Sequence, residues 1–235
     1  MSEDESIVDR ARVDEGVLAL RPDYRALLIT VSGLVGGPSD DLSEAALSHA
    51  ETVARERLAG TAPETLPEVA SWRSAFLDFG VKPRQARSSV EALLRRVDAG
   101  LPRINRLTDL YNAISIEHAI PIGGEDLTGY IGPPVLVRAD GNEPFDTMAN
   151  GEPIVESPEP GEVVWRDDVG VTCRRWNWRQ CVRTRLTEDT TEALFILDAL
   201  DPISTEALLK IGEQLTALLR ETSPQAQFTS RLIGD

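Results

Sequence analysis

The spacing of apolar residues changes near the middle of the chain, and this change limits the folds that the chain can adopt. Before residue 121, apolar residues recur at helical spacing within 41–60, 67–80, 88–100 and 103–120. Beyond residue 130, short apolar runs alternate with turn residues. The predicted strands there are 135–138, 161–166, 171–174, 182–186 and 193–197. This order predicts an α+β fold with a helical N-terminal half and a mostly antiparallel β-sheet in the C-terminal half.

Local signals mark the ends of several segments. Asp41 with Glu44, and Ser88 with Glu91, resemble N-terminal capping pairs, and Asp201-Pro202 is predicted to start a last helix. Two early strands are predicted at 17–20 and 26–31, and the basic stretch 81–87 is predicted to be a loop. One domain is expected to cover residues 16–222, between an acidic flexible tail at 1–15 and a frayed C-terminal tail at 223–235.

Composition argues against several classes of protein. No run approaches 18 consecutive apolar residues and the N-terminus is acidic, so we expect no membrane partner and a cytoplasmic location. Two cysteines and two histidines are too few for a disulfide framework or a zinc-like ligand set. We therefore expect no metal and no cofactor. The sequence leaves the oligomeric state open.

The charge is unevenly distributed along the chain. A net charge of −15 argues against DNA or another nucleic acid as a partner of the whole surface. Residues 72–106 and 169–187, however, each carry a local balance of +5, which leaves about −25 on the rest. These segments could meet an anionic partner, or their arginines could pair with surface carboxylates. The candidate contacts to a nucleic-acid backbone are Lys82, Arg84, Arg87, Arg95 and Arg96.

The stretch 103–126, RINRLTDLYNAISIEHAIPIGGED, has the pattern of a site. Asn105, Asp109 and Asn112 share one face of the predicted helix, and they could bind a small polar ligand or form a solvated face. Pro121 ends the helix, and Gly123-Gly124 is predicted to be a turn that a ligand can approach closely. The residues predicted to face the core are Ile104, Leu107, Leu110, Tyr111 and Ile114.

A second unusual segment, 173–180, has the sequence CRRWNWRQ. Its indole and guanidinium groups offer planar surfaces for stacking and donors for phosphate or carboxylate. As an edge strand it would send Trp176 and Trp178 to one face, and Arg175, Asn177 and Arg179 to the other. The alternative is a strand with tryptophans in the core and exposed arginines.

Several motifs occur in an order that resembles one family. They are SSVEALLRRV, LPRINRLTDLYNAISIEHAIPIGGEDL, VLVRADGNEPF, PGEVVWRD and CRRWNWRQ, followed by 187–193. This succession resembles a freestanding B3/B4 domain protein, and the domain is otherwise found in the beta subunit of phenylalanyl-tRNA synthetase. The resemblance covers roughly residues 72–200.

The resemblance implies a function. In the synthetase this domain houses the editing site that hydrolyses the ester of mischarged tRNA, so the chain is expected to be a trans-editing aminoacyl-tRNA deacylase. The alternatives are a non-catalytic module that binds tRNA, aminoacyl-tRNA or free amino acid, and a small-molecule enzyme that reuses the pocket. An aminoacyl ester is already activated, so a positioned water and a stabilised oxyanion could suffice. Asn112, His118 and Gln180 are the candidate catalytic groups.

The resemblance also implies a pocket. The position of a synthetase histidine corresponds to Gly123, and an acidic pocket residue falls near Arg179 or Gln180. Asp109 or Asp126 would bind the α-ammonium group of the substrate. The predicted pocket comprises Asn105, Asp109, Asn112, Ser115, Pro121, Gly123, Gly124, Asp126, Arg174, Arg175, Trp176, Asn177, Trp178, Arg179, Gln180 and Thr187.

Overall fold

A computed structural model of the chain describes residues 7–234. The helices are α1 (Glu15–Leu18), α2 (Asp41–Leu58), α3 (Pro67–Asp78), α4 (Ser89–Leu94), α5 (Arg106–His118) and α6 (Thr205–Thr222). The strands are β1 (Arg12–Val13), β2 (Arg25–Ser32), β3 (Ile122–Asp126), β4 (Val135–Arg138), β5 (Phe145–Ala149), β6 (Glu152–Glu156), β7 (Val163–Arg166), β8 (Val171–Arg174), β9 (Arg179–Gln180), β10 (Glu192–Ala199) and β11 (Gln227–Ile233). Short 3₁₀ turns occupy Ile7–Arg10, Pro63–Thr65 and Leu127–Gly129. The predicted α+β class is confirmed.

The strands form two main sheets and a hairpin. One sheet has four antiparallel strands in the order β11-β2-β10-β3. The other has five strands in the order β1-β4-β7-β8-β9, of which only the β1–β4 pair is parallel within the described residues. Strands β5 and β6 pair with each other.

The four-stranded sheet is apolar on both faces. Successive side chains of a strand point to opposite faces, and Phe195 and Leu197 pack with α5 and α6 while Leu194 and Ile196 face the other way. That second face packs against Trp165 and other residues of the five-stranded sheet. A separate apolar cluster joins α2, α4 and α5. The two sheets are therefore in contact, with α4 and α5 beside them.

Several predicted elements are confirmed. The helices of the first half are present, Ser88 caps α4 by accepting a hydrogen bond from the Glu91 N–H, and the loop at 81–87 contains no helix or strand. The strands predicted at 135–138 and 171–174 match β4 and β8, and 193–197 lies inside β10. The strand predicted at 161–166 begins at Val163. Asp40, rather than Asp41, caps α2 through Ser43.

Other predicted elements are wrong. Residues 17–20 belong to helix α1 and the turn after it, and 182–186 is a turn with a single bridge between Arg185 and Glu125. The last helix is capped by Ser204 instead of Asp201. Ile104 precedes α5 and is 54% exposed, although its spacing predicted a core position. Each error occurs where the structure depends on a partner strand or helix that the local sequence does not specify.

The predicted tails are also corrected. Residues 227–233 form β11, which pairs with β2 along seven positions from Gln227 to Ile233. Near the other end, Val8 and Ala11 are buried and β1 pairs with β4. Residues 1–6 of the predicted acidic tail lie outside the described part of the chain. Both ends of the described chain are held by contacts with distant segments, which the local composition did not indicate. Within residues 7–234, no helix is long and apolar enough to cross a membrane.

Candidate functional site

A cavity of about 220 Å³ lies between the two sheets and beneath α4 and α5. Its walls come from β3 and β10 of one sheet, from β7, β8 and β9 of the other, and from the two helices. The lining residues are Ser89, Ala92, Leu93, Arg96, Tyr111, Asn112, Ile122, Gly123, Glu125, Trp165, Cys173, Trp176, Asn177, Trp178, Arg179, Gln180, Ile196 and Asp198. The cavity therefore combines an aromatic and apolar wall with a few polar groups, as is typical of a small-molecule site.

The tryptophan-rich segment forms a tight turn between β8 and β9. Arg175 and Trp176 both have positive φ, at 48° and 66°, a conformation that costs non-glycine residues on the order of 1–3 kcal/mol each. Trp176 N–H donates to the Val163 carbonyl at 2.7 Å, and its indole packs edge-on against Tyr24 with ring centroids 5.0 Å apart. The predicted edge strand with both tryptophans on one face is wrong, because the chain reverses direction here. The turn brings Trp176, Asn177 and Trp178 to the cavity.

Asp198 forms a buried polar group at one part of the cavity wall. The Tyr24 hydroxyl donates to its Oδ1 at 2.6 Å, and Asn177 Nδ2 donates to its Oδ2 at 3.3 Å. Burial is the largest effect on this carboxyl and raises its pKa to about 7, against the opposing hydrogen bonds. Asn177 Oδ1 is buried and has no hydrogen-bond partner among the described residues.

Glu125 is the second buried carboxyl of the cavity. The Tyr130 hydroxyl donates to its Oε2 and lies 3.2 Å from Thr172 Oγ1. Burial raises the pKa of Glu125 to about 7, and the hydrogen bond from Tyr130 opposes this rise. Glu125 and Asp198 are therefore both able to change protonation near neutral pH.

The glycine pair lies in β3 instead of in a turn, which corrects the prediction for Gly123-Gly124. Both glycines pair with β10, Gly123 opposite Ile196 and Gly124 opposite Phe195. Gly123 lines the cavity, and a Cβ there would lie 3.4 Å from Gln180 Nε2. Gln180 Nε2 donates to the Gly124 carbonyl at 2.8 Å, which ties β9 to β3.

The structure brings part of the predicted pocket together. Asn112 of α5 joins Gly123 and the turn residues, and its side-chain amide makes no hydrogen bond within the described part of the chain. The predicted pocket residues that line the cavity are Asn112, Gly123, Trp176, Asn177, Trp178, Arg179 and Gln180.

Other predicted pocket residues do not line this cavity, because they bind neighbouring backbone or charges. Asn105 caps α5 through the Thr108 N–H, Asp109 accepts from the Ile104 N–H at 2.9 Å, and Ser115 donates to the Ile120 carbonyl. Arg174 forms two hydrogen bonds to Glu162. The remaining residues outside the lining are Pro121, Gly124, Asp126, Arg175 and Thr187. Asp126 accepts a hydrogen bond from the Thr190 hydroxyl, which also accepts one from the Thr187 N–H. The Arg175 guanidinium lies 4.3 Å from the Trp178 ring centroid.

Neither the histidine candidate nor the thiols are placed as catalysts. His118 ends α5 away from the cavity lining, and burial lowers its pKa. Cys173 lines the cavity, but burial raises the pKa of its thiol well above the ordinary value. Among the described residues, no three His, Cys, Asp or Glu side chains converge as metal ligands.

The predicted basic contacts fall into two groups. Arg87 and Arg95 pair with the buried Glu91 carboxylate at 3.3 Å and 3.0 Å. Lys82, Arg84 and Arg96 are exposed and have no ion-pair partner among residues 7–234. Arg96 also lines the cavity, as does Arg179. Two guanidinium groups therefore border the cavity.

Several lining residues were missed by the sequence analysis. They are Ser89, Ala92, Leu93, Tyr111, Ile122, Glu125, Trp165, Cys173, Ile196 and Asp198, together with Arg96, which was predicted to bind tRNA only. For Asp198 a signal was present, since it is a lone acid after the apolar run ALFIL, and a charge in a buried strand requires an explanation. Glu125 follows the glycine pair, whose prediction as a turn concealed its place in a strand.

The fold and the cavity define an α+β protein with a half-open cavity between two sheets. A family model described as B3/4 domain matches residues 71–220, which is more than half of the chain. The chain belongs to the B3/4 domain family, and the resemblance predicted from its motifs is confirmed.

One solved structure shows the extent of the similarity. It is an N-terminal fragment of the phenylalanyl-tRNA synthetase beta subunit from Pyrococcus horikoshii, with 14% sequence identity and a TM-score of 0.46. The alignment covers 99% of this chain and 53% of that one, so this chain spans about half the length of the fragment. No curated protein matches the chain.

Proposed function

We propose that this protein hydrolyses the ester bond of mischarged aminoacyl-tRNA in trans. The observation that carries the proposal is a cavity of about 220 Å³ in a B3/4 domain, bordered by Arg96 and Arg179. At about 30 Å³ per water, this volume corresponds to roughly seven waters, which is enough space for an amino acid. The amino acid would enter the cavity while the tRNA stays outside. With such a substrate, we propose that the protein works in the cytoplasm.

The charges outside the cavity support a tRNA partner. Arg96 lines the cavity, and Lys82 and Arg84 are exposed without ion pairs in the described part of the chain. Cations without a protein partner are free to contact phosphates, whereas Arg87 and Arg95 are engaged by Glu91. The tRNA backbone is therefore assigned to Lys82, Arg84 and Arg96.

Asn112 is the group best placed to assist the chemistry. Its free amide faces a cavity that contains no nucleophile in its reactive form, so the protein would act on an external water. In ester hydrolysis, water attacks the carbonyl carbon and negative charge develops on the carbonyl oxygen. The bond from that carbon to the tRNA oxygen then breaks, and the proton lost by the water passes to this leaving oxygen. An amide N–H donated to that oxygen stabilises the transition state.

A panel of mischarged tRNAs tests the proposal. We expect faster deacylation than spontaneous hydrolysis for at least one pair, and a loss of about tenfold or more with Asn112→Ala. Asn142→Ala in an exposed turn is the matched control and should retain the wild-type rate. Arg96→Glu should weaken tRNA binding, and Arg12→Glu, at an exposed position far along the chain, should not. Hydrolysis of every ester at the spontaneous rate would contradict the proposal.

A binding module is the second candidate. It is favoured by the cavity lining, in which Gly123 supplies no side chain and burial keeps the Cys173 thiol protonated. Saturable binding of an aminoacyl-tRNA with an unchanged ester lifetime would support this candidate. Turnover would exclude it.

A further inference from the structure

The interior of the cavity holds two buried carboxyls and, within the described residues, no basic side chain beside them, and this distribution of charge indicates which class of amino acid the cavity accepts. Glu125 and Asp198 line the cavity and are only 1% and 2% exposed. Neither carboxylate lies within ion-pair distance of a basic side chain in the described part of the chain. The basic residues of the lining are Arg96 and Arg179, which are exposed and half-buried. Positive charge is therefore available at the border and lacking inside.

The two carboxyls are separated along the cavity wall. Glu125 pairs with Leu194 across the β3–β10 ladder, and Asp198 lies four residues further along β10 on the same face. At about 3.3 Å per residue, their Cα atoms are separated by roughly 13 Å or slightly more. A ligand that satisfied both would need two donor groups at its two ends.

A hydrogen-bond acceptor without a partner lies beside Asp198. Asn177 is nine-tenths buried, its Nδ2 is used by Asp198, and its Oδ1 has no partner among the described residues. A buried acceptor left unpaired costs about 1–3 kcal/mol, so a ligand that donates to it would recover this cost. Asn177 Oδ1 and the Asp198 carboxylate together suit an ammonium group, which has three donors.

The aromatic walls favour the same chemistry. Trp165, Trp176, Trp178 and Tyr111 line the cavity, and aromatic faces attract ammonium groups while packing against a methylene chain. The pKa of each carboxyl is raised to about 7 by burial, so both can become charged at neutral pH when a cation arrives. An uncharged apolar side chain would leave Asn177 Oδ1 without a partner and would bring no cation to either carboxyl.

We propose that the cavity selects amino acids with a second ammonium group on the side chain, of the lysine or ornithine class, with one ammonium at Asp198 and Asn177 and the other at Glu125. The inference rests on the proposed function, in which the amino acid is bound to tRNA through an ester. It goes further by naming the class of amino acid that is removed.

Binding of amino-acid amides tests the selection without any tRNA or hydrolysable ester. Lysinamide and norleucinamide have the same carbon chain and differ in the side-chain ammonium. By isothermal titration calorimetry at pH 7, we expect lysinamide to bind at least tenfold more tightly. One carboxyl holds the side-chain ammonium and the other holds the α-ammonium that both amides share. Of Asp198→Asn and Glu125→Gln, one should therefore bring this ratio to near one and the other should weaken both amides alike, whereas the exposed Asp189→Asn should keep the wild-type affinities.

Other outcomes would overturn the inference. They are equal affinity for the two amides, no binding of either, or tighter binding of tyrosinamide than of lysinamide, which would indicate a neutral hydroxyl at the carboxylates. If Asp198→Asn fails to fold by circular dichroism, Glu125→Gln tests the assignment alone: it must lower the ratio or weaken both amides, and unchanged affinity for both amides overturns the inference. The proposed function is tested separately. It fails if no tRNA ester is cleaved even where lysinamide binds, and the inference fails if esters are cleaved without a preference for lysinamide.

Discussion

Two adjacent glycines face opposite sides of the same strand and meet different surroundings. A Cβ at Gly124 would lie 2.6 Å from Leu186 Cδ1, 2.9 Å from Tyr111 Cε1 and 3.0 Å from Phe195 Cε1. A Cβ at Gly123 would meet only the end of Gln180, at 3.4 Å. Gly124 is therefore required by the packing of α5 on the sheet, whereas Gly123 leaves space in the cavity.

The pair provides its own control for a test of packing. We expect Gly124→Ala to lower the free energy of unfolding by about 1–3 kcal/mol, because the new methyl group overpacks a tightly filled core. Gly123→Ala should change it by less than about 1 kcal/mol, since the Gln180 side chain can adjust. Urea unfolding at pH 7 measures both. A loss for Gly123→Ala equal to that for Gly124→Ala would contradict this account of β3.

At the same scale, sequence alone identified one side chain of α5 that lines the cavity and misplaced two. Helical periodicity placed Asn105, Asp109 and Asn112 on one face, but only Asn112 reaches the cavity. Asn105 precedes the first helical residue and accepts from Thr108, and Asp109 turns back to the Ile104 N–H. Asn and Asp at a helix start commonly bind local backbone in this way. Helical periodicity predicts on which face of the helix a side chain lies, but it does not predict the hydrogen-bond partner of that side chain.

Helix α4 is held in place by one buried carboxylate. Glu91 accepts hydrogen bonds from Arg73 of α3 at 2.7 and 2.9 Å and from Arg95 at 3.0 Å, and it is fully buried. Burial raises its pKa, but these hydrogen bonds outweigh burial and lower the pKa below its ordinary value. Because α4 contributes Ser89, Ala92 and Leu93 to the cavity lining, this cluster also positions that wall of the cavity.

Replacing that carboxylate should destabilise the protein. Glu91→Gln leaves the arginines around a neutral amide in a buried position, and we expect a loss of about 3 kcal/mol in the free energy of unfolding. Glu206→Gln, which removes an exposed pair with Lys210, should change it by less than about 1 kcal/mol. Thermal and urea unfolding at pH 7 would measure the two variants. Similar losses in both would show that Glu91 contributes no more than a surface charge.

The elements differ in how far the sequence determines them. The helices α2, α3, α4 and α5 were predictable because caps and contacts three or four residues apart are local. Strands β3 and β11 were not, since their stability comes from pairing with β10 and β2, more than 60 residues away in each case. The cavity was not predictable from local sequence for the same reason, because its walls come from separate strands of two sheets. Trp176 and Trp178 were predicted from the sequence to belong to the pocket, whereas Trp165 was assigned to it only from the fold.

Across the whole molecule, two kinds of buried carboxyl respond to pH in opposite directions. Burial raises the pKa of Glu125 and Asp198 to about 7. For Glu91 and Asp167, burial is outweighed by hydrogen bonds from Arg73 and Arg183, and the pKa is lowered. Glu91 and Asp167, whose pKa is lowered, stabilise the fold at pH values above the ordinary carboxyl pKa of about 4. This stabilisation is lost as the pH falls below that value.

For Glu125 and Asp198, whose pKa is raised, the free energy of unfolding changes with pH in the opposite direction. Between about pH 4 and pH 7, folded Glu125 and Asp198 hold protons that the unfolded chain has released, so the free energy of unfolding falls as the pH rises. Each group contributes up to about 1.4 kcal/mol per pH unit within this window, and the penalty is complete above about pH 7. The net charge of −15 at pH 7 adds self-repulsion in the same direction. We therefore expect maximal stability at about pH 5.

Variants that cannot ionise test which groups cause the decline. In Asp198→Asn, Oδ1 can still accept from Tyr24, and a rotated Asn177 amide can accept from the new Nδ2 through its free Oδ1. This variant, and Glu125→Gln, should lose less stability than the wild type between pH 5 and pH 8 in urea unfolding, whereas Asp189→Asn at an exposed site should follow the wild-type slope. Parallel slopes in all four proteins would assign the decline to the overall negative charge and remove these two carboxyls as its cause.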